Sequence, residues 1–186
     1  MKNTNHSLFD KYEMIKDLGT GSSGSVTLVR HISMDQERAL KKVPKSSAFA
    51  ESALSEARLL KSLEHPSIPR IFDFEEDNAF YYIVEEYIDG ETLDSFLLHQ
   101  QLISPGLFFN ICEQLCNVFI YLHTQISTPI IYRDLKPEHI IVCHNKLKLI
   151  DFGVSAYVIQ DGNNFNHYGN IEFSALSLIH ISEPTR

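Results

Sequence analysis

The chain reads Tyr132-Arg133-Asp134-Leu135-Lys136-Pro137-Glu138-His139 and, after a short hydrophobic stretch, Asp151-Phe152-Gly153. Two acidic loops at this spacing are typical of phosphoryl transfer from ATP. Asp134 can accept the proton of an attacking hydroxyl, and Asp151 can hold the magnesium ion that neutralises the triphosphate. Lys136 can contact the phosphoryl group that is transferred. The candidate catalytic residues are therefore Asp134 and Lys136, and Asp151 is a candidate metal ligand.

Alternating and helical hydrophobic patterns before these loops and between them predict an α+β protein. A hairpin at 140–143 and 147–150 would hold the two acidic loops side by side. Ser104 and Pro105 are typical of the cap and first turn of a long helix. The predicted buried stripe of this helix is Leu107, Phe108, Ile111, Leu115, Val118, Phe119 and Leu122. The other predicted elements are short strands within 12–43, a helix at 47–63, strands at 71–74 and 80–85, and a helix at 92–99.

A glycine-rich hairpin lies between the first two predicted strands. Its backbone N–H groups can approach phosphate closely, because glycine adds no side chain. A flexible hairpin without a ligand would look similar. A dinucleotide-binding loop shares the glycine spacing, but it should open a helix, and the residues after this loop read as a strand. The candidate nucleotide-binding residues in the loop are Leu18, Gly19, Gly21, Gly24 and Val26.

Lys41 follows the glycine loop on the next predicted strand, where its ammonium group could pair with the α- and β-phosphates. Glu56, on the following predicted helix, could pair with Lys41 and orient it. A surface lysine beside Lys42 is the alternative interpretation. The order of glycine loop, lysine, helical glutamate and two acidic loops favours a nucleotide site.

Composition narrows the class of protein. The chain has 186 residues, of which 44% are hydrophobic and 22% charged, as expected of a globular domain. A net charge of −8 argues against a general nucleic-acid or anionic-membrane binder. No apolar run approaches the roughly 20 residues that span a bilayer, and the N-terminus lacks the apolar core of a signal peptide. We therefore expect a cytoplasmic location and no membrane segment within this chain.

Residues 12–175 resemble the front part of a eukaryotic-type Ser/Thr protein kinase, of the kind also found in bacteria. The resemblance implies a kinase-like α+β fold, with a complete N-terminal β-rich lobe and the first part of the helical C-terminal lobe. The expected organisation is an N-terminal extension at 1–11, the N-lobe with its hinge at 12–88, and a partial C-lobe at 89–175.

The same resemblance implies an activity and its ligands. We expect an ATP- and Mg²⁺-dependent protein serine/threonine kinase, because Lys136 after the catalytic aspartate resembles Ser/Thr rather than Tyr kinases. The expected partner is a protein that carries the acceptor hydroxyl. Residues 85–88 would form the gatekeeper and hinge. The residues implied in adenine binding are Glu86 and Ile88 through backbone groups, and Ala39, Val26 and Ile141 on the two faces of the ring.

Three residues depart from the family pattern. His139 replaces the Asn that usually binds the second magnesium ion. Its neutral imidazole can ligate metal, so His139 is a second candidate metal ligand, but imidazole suits magnesium poorly and we expect weaker metal binding. Asn170 stands where Ser/Thr kinases usually have Thr, and Tyr132 replaces the more usual His. The alternative function is therefore a pseudokinase that acts as a nucleotide-binding scaffold or regulator.

The last eleven residues, 176–186, resemble the in-frame translation of a transposase-type sequencing-library adapter. They follow Ala175, where the family pattern has Pro-Glu. We therefore expect a non-native tail on a truncated kinase domain and an inactive fragment. The parent protein could be tethered to a membrane through its missing C-terminal part.

Overall fold

The computed structural model describes residues 8–21, 24–99 and 103–157. Contacts divide the chain into two units. The first comprises Met1–Glu64 and Pro69–Ile88, and the second comprises His65–Ile68 and Asp89–Arg186. The predicted α+β class is confirmed, since the described part combines an antiparallel sheet with helices.

The first unit is built on a five-stranded antiparallel sheet of order β1-β2-β3-β5-β4. The strands are β1 Tyr12–Gly21, β2 Gly24–His31, β3 Gln36–Pro44, β4 Ile71–Glu76 and β5 Phe80–Glu86, and the helices are α1 Leu8–Lys11 and α2 Ala50–Lys61. Helix α1 is fixed to the sheet by the fully buried Leu8 and by an ion pair between Lys11 and Asp73 at 2.8 Å.

Helix α2 packs on the sheet through small side chains. Ala53 and Ala57 form a buried cluster with Val43 of β3 and Ile83 of β5. The two alanines are four residues apart and so lie on one face of the helix. Their small size allows the helix to approach the strands closely. This packing determines which side chains of α2 and β3 can meet.

Within the described residues, the second unit contains two helices, two small sheets and short turns. Its elements are β6 Glu91–Thr92, α3 Leu93–His99, α4 Pro105–Ile120, a π-helical turn Tyr121–Gln125, β7 Ile130–Ile131, a 3₁₀ turn Pro137–His139, β8 Ile140–Cys143, β9 Lys146–Leu149 and β10 Ala156–Tyr157. Strands β6, β8 and β9 form one antiparallel sheet, and β10 pairs with β7. The predicted hairpin is thus present as β8 and β9.

Helix α4 confirms its predicted start and corrects its predicted stripe. The Ser104 side chain caps the helix by accepting a hydrogen bond from the Leu107 N–H at 3.2 Å. Val118 and Leu122 are fully buried, as predicted. Phe108 is 53% exposed, so its assignment to the core was wrong. Helical periodicity identifies a face, but a side chain on it is buried only where another element packs against it.

Residues 65–68 precede β4 in the chain but belong to the second unit. The Ser67 carbonyl accepts a hydrogen bond from the Leu149 N–H at 2.8 Å. The His65 ring lies 5.1 Å from the Tyr121 ring. Burial, and to a lesser extent the charge of Lys148, lowers the pKa of His65 from its ordinary value. This segment therefore completes the second unit from a distant part of the sequence.

None of the helices in the described ranges is long and apolar enough to cross a membrane.

Candidate functional site

The predicted lysine and glutamate meet in the first unit. The Lys41 Nζ donates to Glu56 Oε2 at 2.8 Å, and Glu56 is only 8% exposed. Strand alternation puts Lys41 on the same face of β3 as Val43, which packs on α2. On α2, Glu56 lies three residues after Ala53, on the side that faces the sheet. The packing of Ala53 against Val43 therefore positions the ion pair.

The glycine loop lies at the β1–β2 turn of the same unit. Gly24 has a φ of +140°, and a methyl group added there would lie 2.1 Å from the Lys42 carbonyl oxygen. Glycine at this position is therefore required by the close approach of β3. A methyl group at Gly19 or Gly21 would meet no atom within 4 Å. Residues 22 and 23 lie outside the described ranges.

The residues predicted to bind adenine come from both units. Ala39 is buried on β3, and Val26 is partly buried on β2, where it pairs with Lys41 in the strand register. Ile141 is partly buried on β8 of the second unit. At the predicted hinge, the Glu86 N–H donates to the Arg70 carbonyl at 2.9 Å. The arrangement of these groups around adenine stays a prediction.

The first acidic loop of the second unit brings Asp134 and Lys136 together. The Lys136 Nζ lies 3.3 Å from Asp134 Oδ2. Just before it, Arg133 has a φ of +72°, a left-handed backbone conformation that is uncommon outside glycine. Non-glycine residues in this region persist only where their surroundings hold them, and they cluster at functional sites.

Tyr132 ties the first acidic loop to the second. Its ring is 2% exposed and packs edge-on against Phe152, with ring centroids 5.0 Å apart. Its hydroxyl donates a hydrogen bond to the Ile150 carbonyl. The Ser155 hydroxyl donates to the Tyr132 carbonyl at 3.1 Å. The segments around 132 and 150–155 are therefore held against each other by three contacts.

His139 lies between the two predicted carboxylates. Its Nδ1 is 3.4 Å from Asp134 Oδ2, and its Nε2 is 3.3 Å from Asp151 Oδ2. The His139 side chain is 9% exposed, whereas the Asp151 side chain is 54% exposed. The backbone of His139 is fixed at both ends, since its N–H donates to the Lys136 carbonyl and its carbonyl accepts from the Ile150 N–H. The structure thus brings Asp134, His139 and Asp151 together.

Comparison with known proteins decides the family. The family model described as "Protein kinase domain" matches residues 12–184. The chain belongs to the protein kinase family. The predicted kinase-like fold and the resemblance to Ser/Thr kinases are therefore confirmed.

The relatives of this kinase domain are protein kinases by name. It is 31% identical to the serine/threonine-protein kinase PrkC of Bacillus subtilis, over 78% of the chain and 23% of the relative. It is 32% identical to calcium-dependent protein kinase 4 of Plasmodium falciparum, over 97% of the chain and 35% of the relative. It is 32% identical to serine/threonine-protein kinase ppk25 of Schizosaccharomyces pombe, over 88% of the chain and 39% of the relative. The chain thus spans about a quarter to two fifths of the length of these relatives.

The matched range of the kinase domain includes part of the segment 176–186, whose adapter origin stays a prediction. That segment and Asn170 lie outside the described residues.

Protein kinases generally use ATP and Mg²⁺. The two candidate metal ligands, Asp151 and His139, do not suit Mg²⁺ equally well. Mg²⁺ prefers oxygen ligands and is usually held by one or two carboxylates together with substrate phosphates and water. The exposed carboxylate of Asp151 fits this role. The Nε2 of His139 is a nitrogen donor and does not. Within the described residues, no three His, Cys, Asp or Glu side chains form a group that could hold a metal ion.

Sequence reasoning missed part of what holds the site of this kinase domain. The Tyr132 hydroxyl and the Ser155 hydroxyl join the two acidic loops, although only the motif residues of those loops were predicted as functional. A tyrosine directly before Arg-Asp was a usable signal, because a buried tyrosine usually finds a hydrogen-bond partner. Nothing local in the sequence identified the Ile150 carbonyl as that partner.

Proposed function

We propose that the protein that carries this kinase domain transfers the γ-phosphoryl group of MgATP to a serine or threonine hydroxyl of a protein substrate. The observation that carries the proposal is the ion pair between Lys41 and Glu56 at 2.8 Å. Protein kinases need this strand-to-helix pair to align the phosphates of ATP. The names of the relatives support the choice of serine or threonine as acceptor.

In the proposed mechanism, the Lys41 ammonium group of the first unit pairs with the α- and β-phosphates of ATP, while Glu56 orients the lysine. The backbone of the glycine loop, from Leu18 to Val26, covers the phosphates. The space beside Gly19 and Gly21 supports this role, since a Cβ atom added at either glycine would meet no atom within 4 Å. Backbone groups of Glu86 and Ile88 recognise the adenine edge, and Ala39 and Val26 of the first unit contact the ring.

In the second unit, the proposed role of Asp134 is to accept the proton of the substrate hydroxyl while the hydroxyl oxygen attacks the γ-phosphorus. The bond between the γ-phosphorus and the bridging oxygen breaks, and ADP leaves. Lys136, whose Nζ is already 3.3 Å from Asp134 Oδ2, stabilises the charge on the transferred group. The Asp151 carboxylate would hold magnesium, which when bound would supply positive charge that neutralises the phosphates.

The test is transfer of labelled phosphate from ATP to a generic basic protein by the full-length product of the gene. We expect Asp134→Asn to lower the rate by about 10²- to 10⁴-fold, because it removes the general base without changing the size of the side chain. Asp35→Asn is a matched control, since Asp35 is an exposed aspartate in the β2–β3 turn. Its positive φ is one that asparagine tolerates.

Two results would count against phosphoryl transfer. One is the absence of any transfer by the wild-type protein under conditions in which it is folded. The other is a rate in Asp134→Asn that equals the rate in the Asp35→Asn control.

A second candidate function is that of a pseudokinase that serves as a scaffold or regulator. The observation that favours it is the imidazole of His139, which contacts both carboxylates that an active kinase uses. A pseudokinase should gain no activity from His139→Asn, and ATP with Mg²⁺ should not raise its melting temperature. Activity gained by this one substitution would instead indicate an enzyme that His139 impairs.

A further inference from the structure

Strand β1 contains a β-bulge at the start of the glycine loop. Asp17 pairs with Thr27 in the strand register and Gly19 pairs with Val26, so Leu18 is the extra residue of the bulge. A bulge bends its strand and changes the direction in which side chains leave it. In a regular strand Asp17 and Gly19 would lie on one face of the sheet, since they are two residues apart. The bulge places them on opposite faces.

The two faces of the sheet differ in what they carry. Directly paired residues of adjacent strands have their side chains on the same face. The register continues from Gly19 through β2 to Lys41, so these two residues lie on one face. From Asp17 it continues through Thr27 to Leu40, which belongs to the buried cluster on the other face. The bulge therefore keeps the negative charge of Asp17 off the face on which Lys41 would pair with phosphates.

The side chain of Asp17 also holds the bulge. Its Oδ1 accepts a hydrogen bond from the Gly19 N–H at 2.9 Å. The bond spans Leu18 and closes a turn of the kind that aspartate and asparagine form with the backbone two residues further on. A hydrogen bond to an ionised carboxylate is about twice as strong as one between neutral groups. The bond thus restricts the backbone where the chain enters the glycine loop.

We propose that Asp17 is a positioning residue of the glycine loop, which holds the bulge in the conformation that presents Leu18 to the adenine ring and the Gly19 backbone to the phosphates. The roles of Leu18 and Gly19 rest on the proposed function. In this role Asp17 acts through the loop and does not contact the nucleotide, since its side chain leaves the sheet on the other face.

The role predicts which kinetic constant depends on Asp17. Without the bond, ATP must order the loop when it binds. The loop is then ordered both in the ATP complex and in the transition state, so the loss affects the two states equally. A loss of this kind raises KM and leaves kcat nearly unchanged.

The experiment measures KM for ATP and kcat with the full-length product of the gene. Asp17→Ala removes the acceptor, and we expect KM to rise about fivefold while kcat stays within about twofold. Asp17→Asn keeps an acceptor oxygen, so its KM should stay within about twofold of the wild type. Glu13→Ala is the matched control, because Glu13 is an exposed acidic residue of the same strand, and its KM should equal that of the wild type.

Asp17→Val is a second variant, for the case that Asp17→Ala does not fold. Valine favours a strand but offers no acceptor, so KM should rise to the same extent. A wild-type KM in either folded variant would overturn the inference. An equal rise in Asp17→Asn and Asp17→Ala would overturn it too, since charge rather than the acceptor would then be responsible. A fall in kcat with KM unchanged would also overturn it, because the residue would then act in the chemical step.

Hydrogen exchange without nucleotide, followed by mass spectrometry, tests the bond separately from the activity. The Gly19 amide should exchange faster in Asp17→Ala than in the wild type and in Asp17→Asn. Equal exchange in all three would contradict the bond and the inference. A wild-type protein with a protected Gly19 amide but neither transfer nor affinity for ATP would contradict the proposed function, and with it the role of Asp17. Transfer with one KM in all the variants would contradict the role of Asp17 and leave the proposed function standing.

Discussion

Gly24→Ala should destabilise the first unit through a contact that can be worked out from the structure. A methyl group at Gly24 would lie 2.1 Å from the Lys42 carbonyl oxygen and 3.2 Å from the Val43 Cα. Contacts of a Cβ below 3.0 Å essentially do not occur, so the backbone of β2 or β3 would have to move by about 0.9 Å. Gly24 and Lys42 lie in adjacent paired strands, where such a shift lengthens interstrand hydrogen bonds.

Two costs contribute to the expected effect. A side chain at a φ of +140° costs roughly 1–3 kcal/mol, and a weakened interstrand hydrogen bond costs about 0.5–1.5 kcal/mol. The free energy of unfolding should therefore fall by about 1.5–4.5 kcal/mol. For a chain of 186 residues this lowers the melting temperature by roughly 3–18 °C.

Urea unfolding followed by far-ultraviolet circular dichroism measures this difference. Gly21→Ala is the matched control in the same loop, since a methyl group there would meet no atom within 4 Å. The reasoning is refuted if Gly24→Ala unfolds within about 0.5 kcal/mol of the wild type. Equal destabilisation by the two substitutions would refute it too, because the close approach of β3 concerns Gly24 alone of the two.

Two further predictions concern the second unit. Ser104→Ala removes the cap that accepts the Leu107 N–H and should lower the free energy of unfolding by about 1 kcal/mol in urea, with an unchanged value arguing against the cap. The pKa of His65 is lowered from 6.5 by burial and by Lys148, so the folded chain binds fewer protons there than the unfolded chain. Its contribution to stability is complete above pH 6.5 and is lost as the pH falls toward the lowered folded-state pKa. Unfolding of His65→Gln, measured from pH 8 to 5, should lack this loss, and a steeper fall in the variant would contradict the sign.

Much of the fold could be predicted because local pattern and tertiary packing agree in it. The strands and the hairpin at β8 and β9 lie close to their predicted positions. The helix predicted at 47–63 is shorter, because Ser47 forms a local turn by accepting the Phe49 N–H and α2 begins only at Ala50. The exposure of Phe108 could not be predicted, since it depends on which elements pack on α4.

The residue types of the candidate site were easier to predict from the sequence than the contacts that hold those residues in place. Phosphate pairing demands a cation and proton transfer demands a carboxylate, so residue type and order made Lys41, Glu56 and Asp134 candidates. The structure brings Lys41 and Glu56 together, and the roles of all three stay predictions. The left-handed backbone conformations of Arg133 and Asp151 could not be predicted, because no sequence pattern indicates them. Such conformations are imposed by distant contacts, such as the bond from the Tyr132 hydroxyl to Ile150, and not by local preference.

The assignment of residues 65–68 to the second unit has a consequence for how that unit can be produced and folded. On the ribosome, Ser67 emerges before β4 and β5, but its partner Leu149 is translated some eighty residues later. The second unit therefore cannot be completed until β4 and β5 of the first unit, which separate its two parts in the sequence, have been translated. A gene fragment that starts at Asp89 would lack the Ser67 carbonyl and the His65 ring. A separate peptide that contains residues 65–68 would then supply the part of the second unit that this fragment lacks.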